Sequence, residues 1–209
     1  MARMAAMAAD ASAWKRRAVS SAILAAIVFG GLGIVFAVGA FAPAARETVT
    51  IGGPFTLTSN TGETVTDADL KGAPFAVFFG FTHCPEVCPT TLWEMSEALK
   101  GLGPDGDALK MLFITVDPAR DTPEVMARYL QSFDPRIVAL TGSEAQIDAV
   151  AKHYRAYWNR VPTDDGGYTM DHTASVFLMD AEGTFQGTIA YEEQADVRLE
   201  KLKRLVAGS

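Results

Sequence analysis

Cysteine and histidine are scarce in this chain, which has two cysteines and three histidines among its 209 residues. Two cysteines exclude a scaffold held together by several disulfides, but they can form one bridge or contribute to one metal site. Both of them, Cys84 and Cys88, lie in one short segment. The chemistry of the protein is therefore expected to concentrate in that segment.

Basic residues are outnumbered by acidic ones over most of the chain. The formal charge is −7 overall, and residues 1–45 carry a local +3, so that residues 46–209 carry −10. A domain with this charge is repelled by the phosphate backbone, and we expect no binding of nucleic acid. Basic proteins and cations are the partners that such a surface favours.

No charged residue occurs between residues 18 and 42. This stretch of about 25 residues is long enough to cross a hydrocarbon core of roughly 30 Å as a helix. Because three basic residues at 15–17 precede it, we predict a cytoplasmic N-terminus (1–17) and a transmembrane anchor (18–42). The remaining residues, 43–209, would then form a periplasmic domain of a single-pass protein of the bacterial inner membrane. A cleaved signal peptide is the alternative, although its apolar region would be shorter.

The pattern of apolar residues after the anchor predicts an α/β domain. An alternating segment over residues 55–66 indicates a β-hairpin, and a continuous apolar run over residues 74–81 indicates a buried central strand. We predict further strands at residues 111–116, 137–140, 174–179 and 184–190, helices at residues 90–99, 143–158 and 196–206, one more helix starting near Asp121, and a polar connection at residues 161–171. With a dithiol at the end of the first central strand, this order predicts a thioredoxin-like fold: a mixed central sheet with helices on both faces and an N-terminal β-hairpin extension.

Cys84 and Cys88 lie where the central strand meets the first helix, in the sequence Gly-Phe-Thr-His-Cys-Pro-Glu-Val-Cys-Pro-Thr-Thr-Leu of residues 80–92. Cysteines four positions apart at such a junction can close a disulfide or hold one soft metal ion. Because Pro89 fits the first turn of a helix, Cys88 should lie near the helix N-terminus, where the dipole and the free amides favour a thiolate. An inert structural disulfide is the simpler alternative.

His172 precedes the predicted strand at residues 174–179, in a loop that packs against the dithiol in a thioredoxin-like fold. An imidazole at this position would complete a trigonal site of two thiolates and one nitrogen. Such a soft donor set suits copper, and Cu(I) accepts three ligands, whereas zinc prefers four. Asp171 is a candidate to orient His172, and capping of the local turn is its alternative role.

Two further carboxylates are expected at the same sheet edge as the dithiol. Asp121 is interpreted as a helix cap, and Asp117 as a residue that shapes the site or docks a partner. The remaining candidates are placed outside the ligand set: Glu86 as a solvated charge, His83 as a neighbour that points away, His153 as a packing or surface residue, and Met170 as a loop thioether.

Three blocks of the sequence resemble the Sco/SenC family of copper chaperones. They are residues 80–92, the sequence Val-Asp-Pro-Ala-Arg-Asp-Thr-Pro at residues 116–123, and residues 168–180 with His172. The resemblance implies a thioredoxin-like fold and copper, as Cu(I), Cu(II) or both, bound by Cys84, Cys88 and His172. It also implies a membrane-anchored metallochaperone that helps to metallate or reduce the dinuclear copper centre of cytochrome c oxidase subunit II. Other periplasmic copper chaperones and thiol reductants are further implied partners.

Two other kinds of function stay open on the sequence. A periplasmic thiol–disulfide oxidoreductase, or a redox or copper sensor, would use Cys84 and Cys88 as a redox pair, so enzyme activity of that kind is left undecided. A thioredoxin-fold peroxidase is disfavoured, because no Pro-x-x-x-Thr-x-x-Cys pattern ends at Cys84. His172 separates these functions from copper binding, because dithiol exchange does not require it.

Overall fold

The computed structural model describes residue 27 and residues 50–208 of the chain. Residues 50–208 belong to one structural unit, Val49–Ser209. The predicted cytoplasmic segment and anchor, residues 1–42, lie outside the described residues except for residue 27. Among the described residues, no helix combines the length and the apolar character that a membrane crossing requires.

The strands of the described unit form one large sheet and one small sheet. In chain order they are β1 (Thr56–Ser59), β2 (Thr64–Thr66), β3 (Phe75–Gly80), β4 (Lys110–Thr115), β5 (Ile137–Thr141), β6 (Trp158–Pro162), β7 (Tyr168–His172), β8 (Val176–Met179) and β9 (Phe185–Ile189). Seven strands form a sheet in the order β2-β1-β5-β4-β3-β8-β9, and β6 pairs with β7 in a separate hairpin. In the large sheet β3, β4 and β5 run parallel, and the other neighbours pair antiparallel. The predicted mixed sheet and N-terminal hairpin are confirmed.

Helices cover both faces of the large sheet. They are α1 (Val87–Leu102), α2 (Pro123–Leu130), α3 (Glu144–Tyr154) and α4 (Ala195–Ala207). Gly80 of β3 abuts Cys88 of α1, whereas the preceding residue, Phe79, contacts Tyr154 of α3 with ring centroids 5.6 Å apart. Because successive strand residues point to opposite faces, α1 and α3 lie on opposite sides of the sheet. The thioredoxin-like α/β arrangement is therefore confirmed.

The central strand β3 anchors the cysteine segment to the core. All six of its residues are buried, and Phe78 stacks on Phe113 of β4 with ring centroids 6.0 Å apart. Burial of one such phenylalanine contributes about 1.5–3 kcal/mol relative to an exposed ring. The loop that carries Cys84 thus leaves the sheet at its most deeply buried strand.

Two predictions about the segment after β5 are wrong. Helix α3 ends at Tyr154 and does not continue to residue 158, because Arg155 adopts the left-handed conformation with φ 53° and its amide closes the last turn onto the helix carbonyls. Residues 161–171 are not a polar connection, because β6 and β7 pair from Trp158↔His172 to Pro162↔Tyr168. His172 therefore lies at the end of a strand.

Candidate metal centre

The two cysteines lie on the loop between β3 and α1 and on the first turn of that helix. Cys84 is partly exposed and Cys88 is buried, and both are free thiols. The amide of Cys88 donates a hydrogen bond to the Cys84 sulfur at 3.4 Å. Because Cys88 is the second residue of α1, the predicted place of this residue near the helix N-terminus is confirmed. The thiolate expected at Cys88 is wrong, because the Cys88 amide donates to the Cys84 sulfur and the negative charge is favoured there instead.

Gly80 leaves the space that the Cys88 sulfur occupies. A Cβ atom at position 80 would lie 2.6 Å from the Cys88 Sγ and 2.7 Å from Cε2 of Phe113. Both distances are far shorter than a van der Waals contact. The last residue of β3 must therefore lack a side chain if the sulfur is to pack against the sheet.

His172 presents one ring nitrogen to the cysteines. Its ring lies against Phe78 and Phe81, with centroid distances of 6.0 and 5.8 Å. Its Nδ1 is 3.0 Å from the carbonyl oxygen of Thr173, and since a carbonyl only accepts, Nδ1 carries the proton of the neutral ring. The Nε2 lone pair then faces the Cys88 Sγ at 3.5 Å.

The three candidate ligands converge. The sulfur atoms of Cys84 and Cys88 and a ring nitrogen of His172 all lie within 4.8 Å of one another. Within the described part of the chain, this is the one cluster of three or more His, Cys, Asp or Glu side chains with that geometry. Two thiolates and one imidazole without a fourth protein ligand suit a soft, three-coordinate ion better than zinc.

The two thiols have opposite pKa shifts. The side-chain hydrogen bond from Cys88 lowers the pKa of Cys84 well below that of an ordinary thiol; the amides of Cys88 and Glu86 add to this effect, and partial burial opposes it. The same hydrogen bond, burial and repulsion from the Cys84 thiolate raise the pKa of Cys88. The reduced pair therefore carries one negative charge, located on the more accessible sulfur.

We expect an alkylating reagent to modify Cys84 much faster than Cys88 in the reduced protein. Because the pKa of Cys84 is lowered, its thiolate persists as the pH falls and is lost only below the ordinary thiol range. The alkylation rate of Cys84 should stay nearly constant from about pH 8 to about pH 6. The alkylation rate of an ordinary thiol falls about tenfold per pH unit over the same range. Mass spectrometry after timed iodoacetamide treatment measures both sites. Equal labelling of the two cysteines, or a tenfold loss per unit at Cys84, would contradict the assignment.

Asp121 supports the cysteine loop, and its predicted role as a helix cap is wrong. Thr122 caps α2 instead, with its hydroxyl accepting a hydrogen bond from the Val125 amide at 3.4 Å. The buried Asp121 carboxylate accepts hydrogen bonds from the amide and hydroxyl of Thr82, at 3.0 and 2.6 Å, and from the hydroxyl of Thr115 at 2.6 Å. These bonds tie the loop before Cys84 to the end of β4.

Asp117 anchors the hairpin that carries His172. Its buried carboxylate accepts hydrogen bonds from the Tyr168 hydroxyl, at 3.0 Å, and from Arg120. Arg120 also donates to the Tyr168 carbonyl at 3.1 Å, and its guanidinium lies 3.9 Å from the centre of the Tyr168 ring. Because Tyr168 begins β7 and His172 ends it, this cluster supports the site-shaping role considered for Asp117. Arg120 and Tyr168 had no sequence signal that pointed to this role.

The other candidates lie outside the ligand cluster. Asp171 is exposed, and the partner of the His172 ring is the Thr173 carbonyl, so no contact among the described residues supports an orienting role for Asp171. Glu86 is exposed, as predicted, and His83 and His153 are exposed as well. The prediction of Met170 as a loop thioether is wrong, because Met170 lies in β7 and is buried in the core. His83 lies 3.8 Å from Asp121, next to the support of the cysteine loop.

Comparison with known proteins gives consistent matches. A family model described as SCO1/SenC matches residues 43–207. The human protein named SCO1 homolog, mitochondrial, is 43% identical over 141 residues, which are 65% of this chain and 46% of that protein. The match thus spans about half the length of this relative.

Two solved structures share the fold over most of the described unit. ScoI of Bradyrhizobium japonicum with copper bound is 50% identical, and the alignment covers 74% of this chain and 99% of that one with a TM-score of 0.70. Yeast Sco1 with copper bound is 34% identical, with 77% and 90% of the two chains covered and a TM-score of 0.71.

Proposed function

Because this chain belongs to the SCO1/SenC family, we propose that it is a copper-binding assembly factor for cytochrome c oxidase. The observation that carries the proposal is the convergence of the Cys84, Cys88 and His172 ligand atoms within 4.8 Å. The related ScoI of Bradyrhizobium japonicum and Sco1 of yeast were both solved with copper bound. The donor set of this chain has the softness that copper prefers.

The site is largely prepared for a soft cation before it binds. The lowered pKa of Cys84 keeps its sulfur charged, and the Thr173 carbonyl holds the proton of His172 on Nδ1, away from the cluster. Only Cys88, whose pKa is raised, must still lose a proton. Copper binding should therefore release about one proton per site at neutral pH.

An anaerobic Cu(I) titration of the reduced protein tests the proposal. The unaltered chain should bind one copper tightly, and His172→Ala should bind it more weakly because the imidazole ligand is missing. His153→Ala is the matched control, because His153 is exposed and lies outside the cluster, and it should bind like the unaltered chain. Copper affinity that is unchanged in His172→Ala would overturn the proposal.

A narrower role follows from the same family membership. We propose delivery of copper to, or reduction of, the dinuclear centre of cytochrome c oxidase subunit II, together with other copper chaperones and thiol reductants. The charge of −10 on residues 46–209 supports basic partner surfaces. The transmembrane anchor at residues 18–42 and the periplasmic location stay predictions from the sequence. Normal copper content of subunit II in cells that lack this protein would contradict the narrower role.

Thiol–disulfide exchange is a second candidate, and the unequal thiols favour it. The Cys84 thiolate would attack a target disulfide and release one thiolate; Cys88, after losing its proton, would attack the mixed disulfide and release the second. The target gains two electrons, and this chain keeps a Cys84–Cys88 disulfide. His172→Ala should retain this activity and Cys84→Ser should lose it, which separates exchange from copper binding.

A further inference from the structure

The open end of the hairpin departs from a regular β-ladder at Thr173. Tyr157 and Thr173 lie one pair beyond Trp158 and His172, and in a regular antiparallel ladder their amides and carbonyls would exchange two hydrogen bonds. The Thr173 amide does donate to the Tyr157 carbonyl, at 2.9 Å. The Tyr157 amide, however, donates to the Thr173 hydroxyl at 2.9 Å. The side chain of Thr173 thus takes the place of its own carbonyl.

The carbonyl released in this way accepts the ring proton of His172. The Thr173 oxygen lies 3.0 Å from Nδ1 of His172. In a regular ladder this carbonyl would be directed at the Tyr157 amide, and the imidazole would have to share it. The Thr173 hydroxyl therefore keeps one backbone acceptor for the ring.

A second acceptor competes for the same proton. The Cys88 Sγ lies 3.5 Å from Nε2 of His172, and a neutral imidazole carries its single proton on one of its two nitrogens. If the proton lay on Nε2, this nitrogen would donate to sulfur and would have no lone pair for a metal ion. The ring presents Nε2 as a ligand while the Thr173 carbonyl holds the proton on Nδ1.

The position of the Tyr157 amide is set from α3. Arg155 closes the end of this helix, and the next residue, Ala156, donates its amide to the carbonyl of Ala151 at 2.9 Å. Ala151 is buried, so the backbone that leads into Tyr157 is fixed to the core. The Tyr157 side chain is 60% exposed, and Tyr157 meets Thr173 through its backbone. The Thr173 hydroxyl therefore faces a donor whose position is fixed.

We infer that Thr173 is a positioning residue for copper binding. Its hydroxyl occupies the Tyr157 amide, which leaves the Thr173 carbonyl to hold the proton of His172 on Nδ1 and keeps Nε2 open toward the two sulfurs. The inference rests on the proposed copper function and deepens it, because it assigns a side chain that determines which ring nitrogen binds the ion. Residues that orient a ligand histidine commonly change metal affinity by about 10–100-fold.

The test compares Thr173→Val with the unaltered full chain, Thr173→Ser and Thr169→Val. Valine has nearly the same shape as threonine and the same preference for extended backbone, but it lacks the hydroxyl. The Tyr157 amide should then turn to the carbonyl of residue 173 and compete with the His172 ring. Cu(I) affinity should fall about tenfold, at the low end of the usual range because the carbonyl itself remains. Thr173→Ser keeps a hydroxyl and should bind Cu(I) like the unaltered chain.

A copper-free measurement distinguishes positioning from packing. Nitrogen NMR of isotope-labelled histidine identifies which ring nitrogen carries the proton at about pH 8, where an ordinary imidazole is neutral. The proton of His172 should lie on Nδ1 in the unaltered chain and in Thr173→Ser, whereas a large share of Thr173→Val should carry it on Nε2. Thr169 is the matched control, because it is also half-buried and pairs with Val161 in the same hairpin. Thr169→Val should change neither the position of the proton nor the Cu(I) affinity.

The two measurements separate the possible outcomes. An unchanged proton position in Thr173→Val would overturn the inference, and so would an unchanged Cu(I) affinity in that variant. Equal losses of Cu(I) affinity in Thr173→Val and Thr169→Val would also overturn it, because they would reflect a general weakening of the hairpin. An unaltered chain that binds no copper would overturn the proposed function, and the NMR comparison would then still decide whether Thr173 holds the His172 ring.

Discussion

Asp121→Ala is expected to lower the free energy of unfolding by about 3–5 kcal/mol. The substitution removes the acceptor of the Thr82 amide, the Thr82 hydroxyl and the Thr115 hydroxyl, which donate to it at 3.0, 2.6 and 2.6 Å. Asp121 is fully buried, so water does not readily replace the lost bonds. Urea unfolding of the reduced protein measures the loss.

Two further variants provide reference values for this loss of stability. Asp121→Asn keeps one acceptor oxygen and nearly the same volume, and it should lose about half as much stability. Thr122→Ala removes the true cap of α2 and should cost only about 1 kcal/mol. If Asp121→Ala cost no more than Thr122→Ala, the carboxylate would not be the support of the cysteine loop.

Gly80→Ala is expected to lower the free energy of unfolding by about 3 kcal/mol and to weaken copper binding. The new methyl group would lie 2.6 Å from the Cys88 Sγ and 2.7 Å from the Phe113 ring. Neither neighbour can withdraw freely, because both are fully buried. The displaced sulfur would move relative to the ring nitrogen of His172, which lies 3.5 Å away. Urea unfolding and Cu(I) titration of the same variant measure the two effects.

Gly101→Ala is the matched control for this substitution. A Cβ atom at position 101 would meet Leu199 at 3.4 Å, an ordinary contact, and Gly101 lies within α1. Alanine in a helix is favoured over glycine by up to about 1 kcal/mol. Gly101→Ala should therefore leave the free energy of unfolding unchanged or raise it. If Gly80→Ala and Gly101→Ala had the same stability and the same Cu(I) affinity, the Cys88 sulfur would not require a residue without a side chain at position 80.

The central elements of the fold could be predicted because buried strands consist almost entirely of apolar residues. The run at residues 74–81 is continuously apolar, as expected of a strand covered on both faces, and β3 occupies Phe75–Gly80. The hairpin of β6 and β7 could not be predicted in the same way. All five β6 residues are exposed or half-buried, so no apolar alternation marks the strand. Arg155 also ends α3 without the glycine that usually signals such a stop.

The ligand residues could be predicted, but their supports could not. Cysteine and histidine are chemically distinctive and few, so Cys84, Cys88 and His172 stand out in any inspection of the chain. The residue that orients His172 acts through a backbone carbonyl, which any amino acid supplies. Asp121 reaches Thr82 across 39 positions, and only the folded sheet brings the two together.

The hairpin also determines where this protein tolerates a change in length. His172 pairs with Trp158 at the open end of the hairpin, whereas Pro162 and Tyr168 pair next to its turn. The turn at residues 163–167 is exposed and is held by short-range bonds from Thr163 and Gly167 to Asp165. Four residue pairs of the hairpin lie between the turn and the pair of His172 with Trp158. Extra residues inserted at the turn therefore leave β7 in register with β6. An epitope tag or a fluorescent label belongs at this turn, because it can mark the protein without disturbing the site.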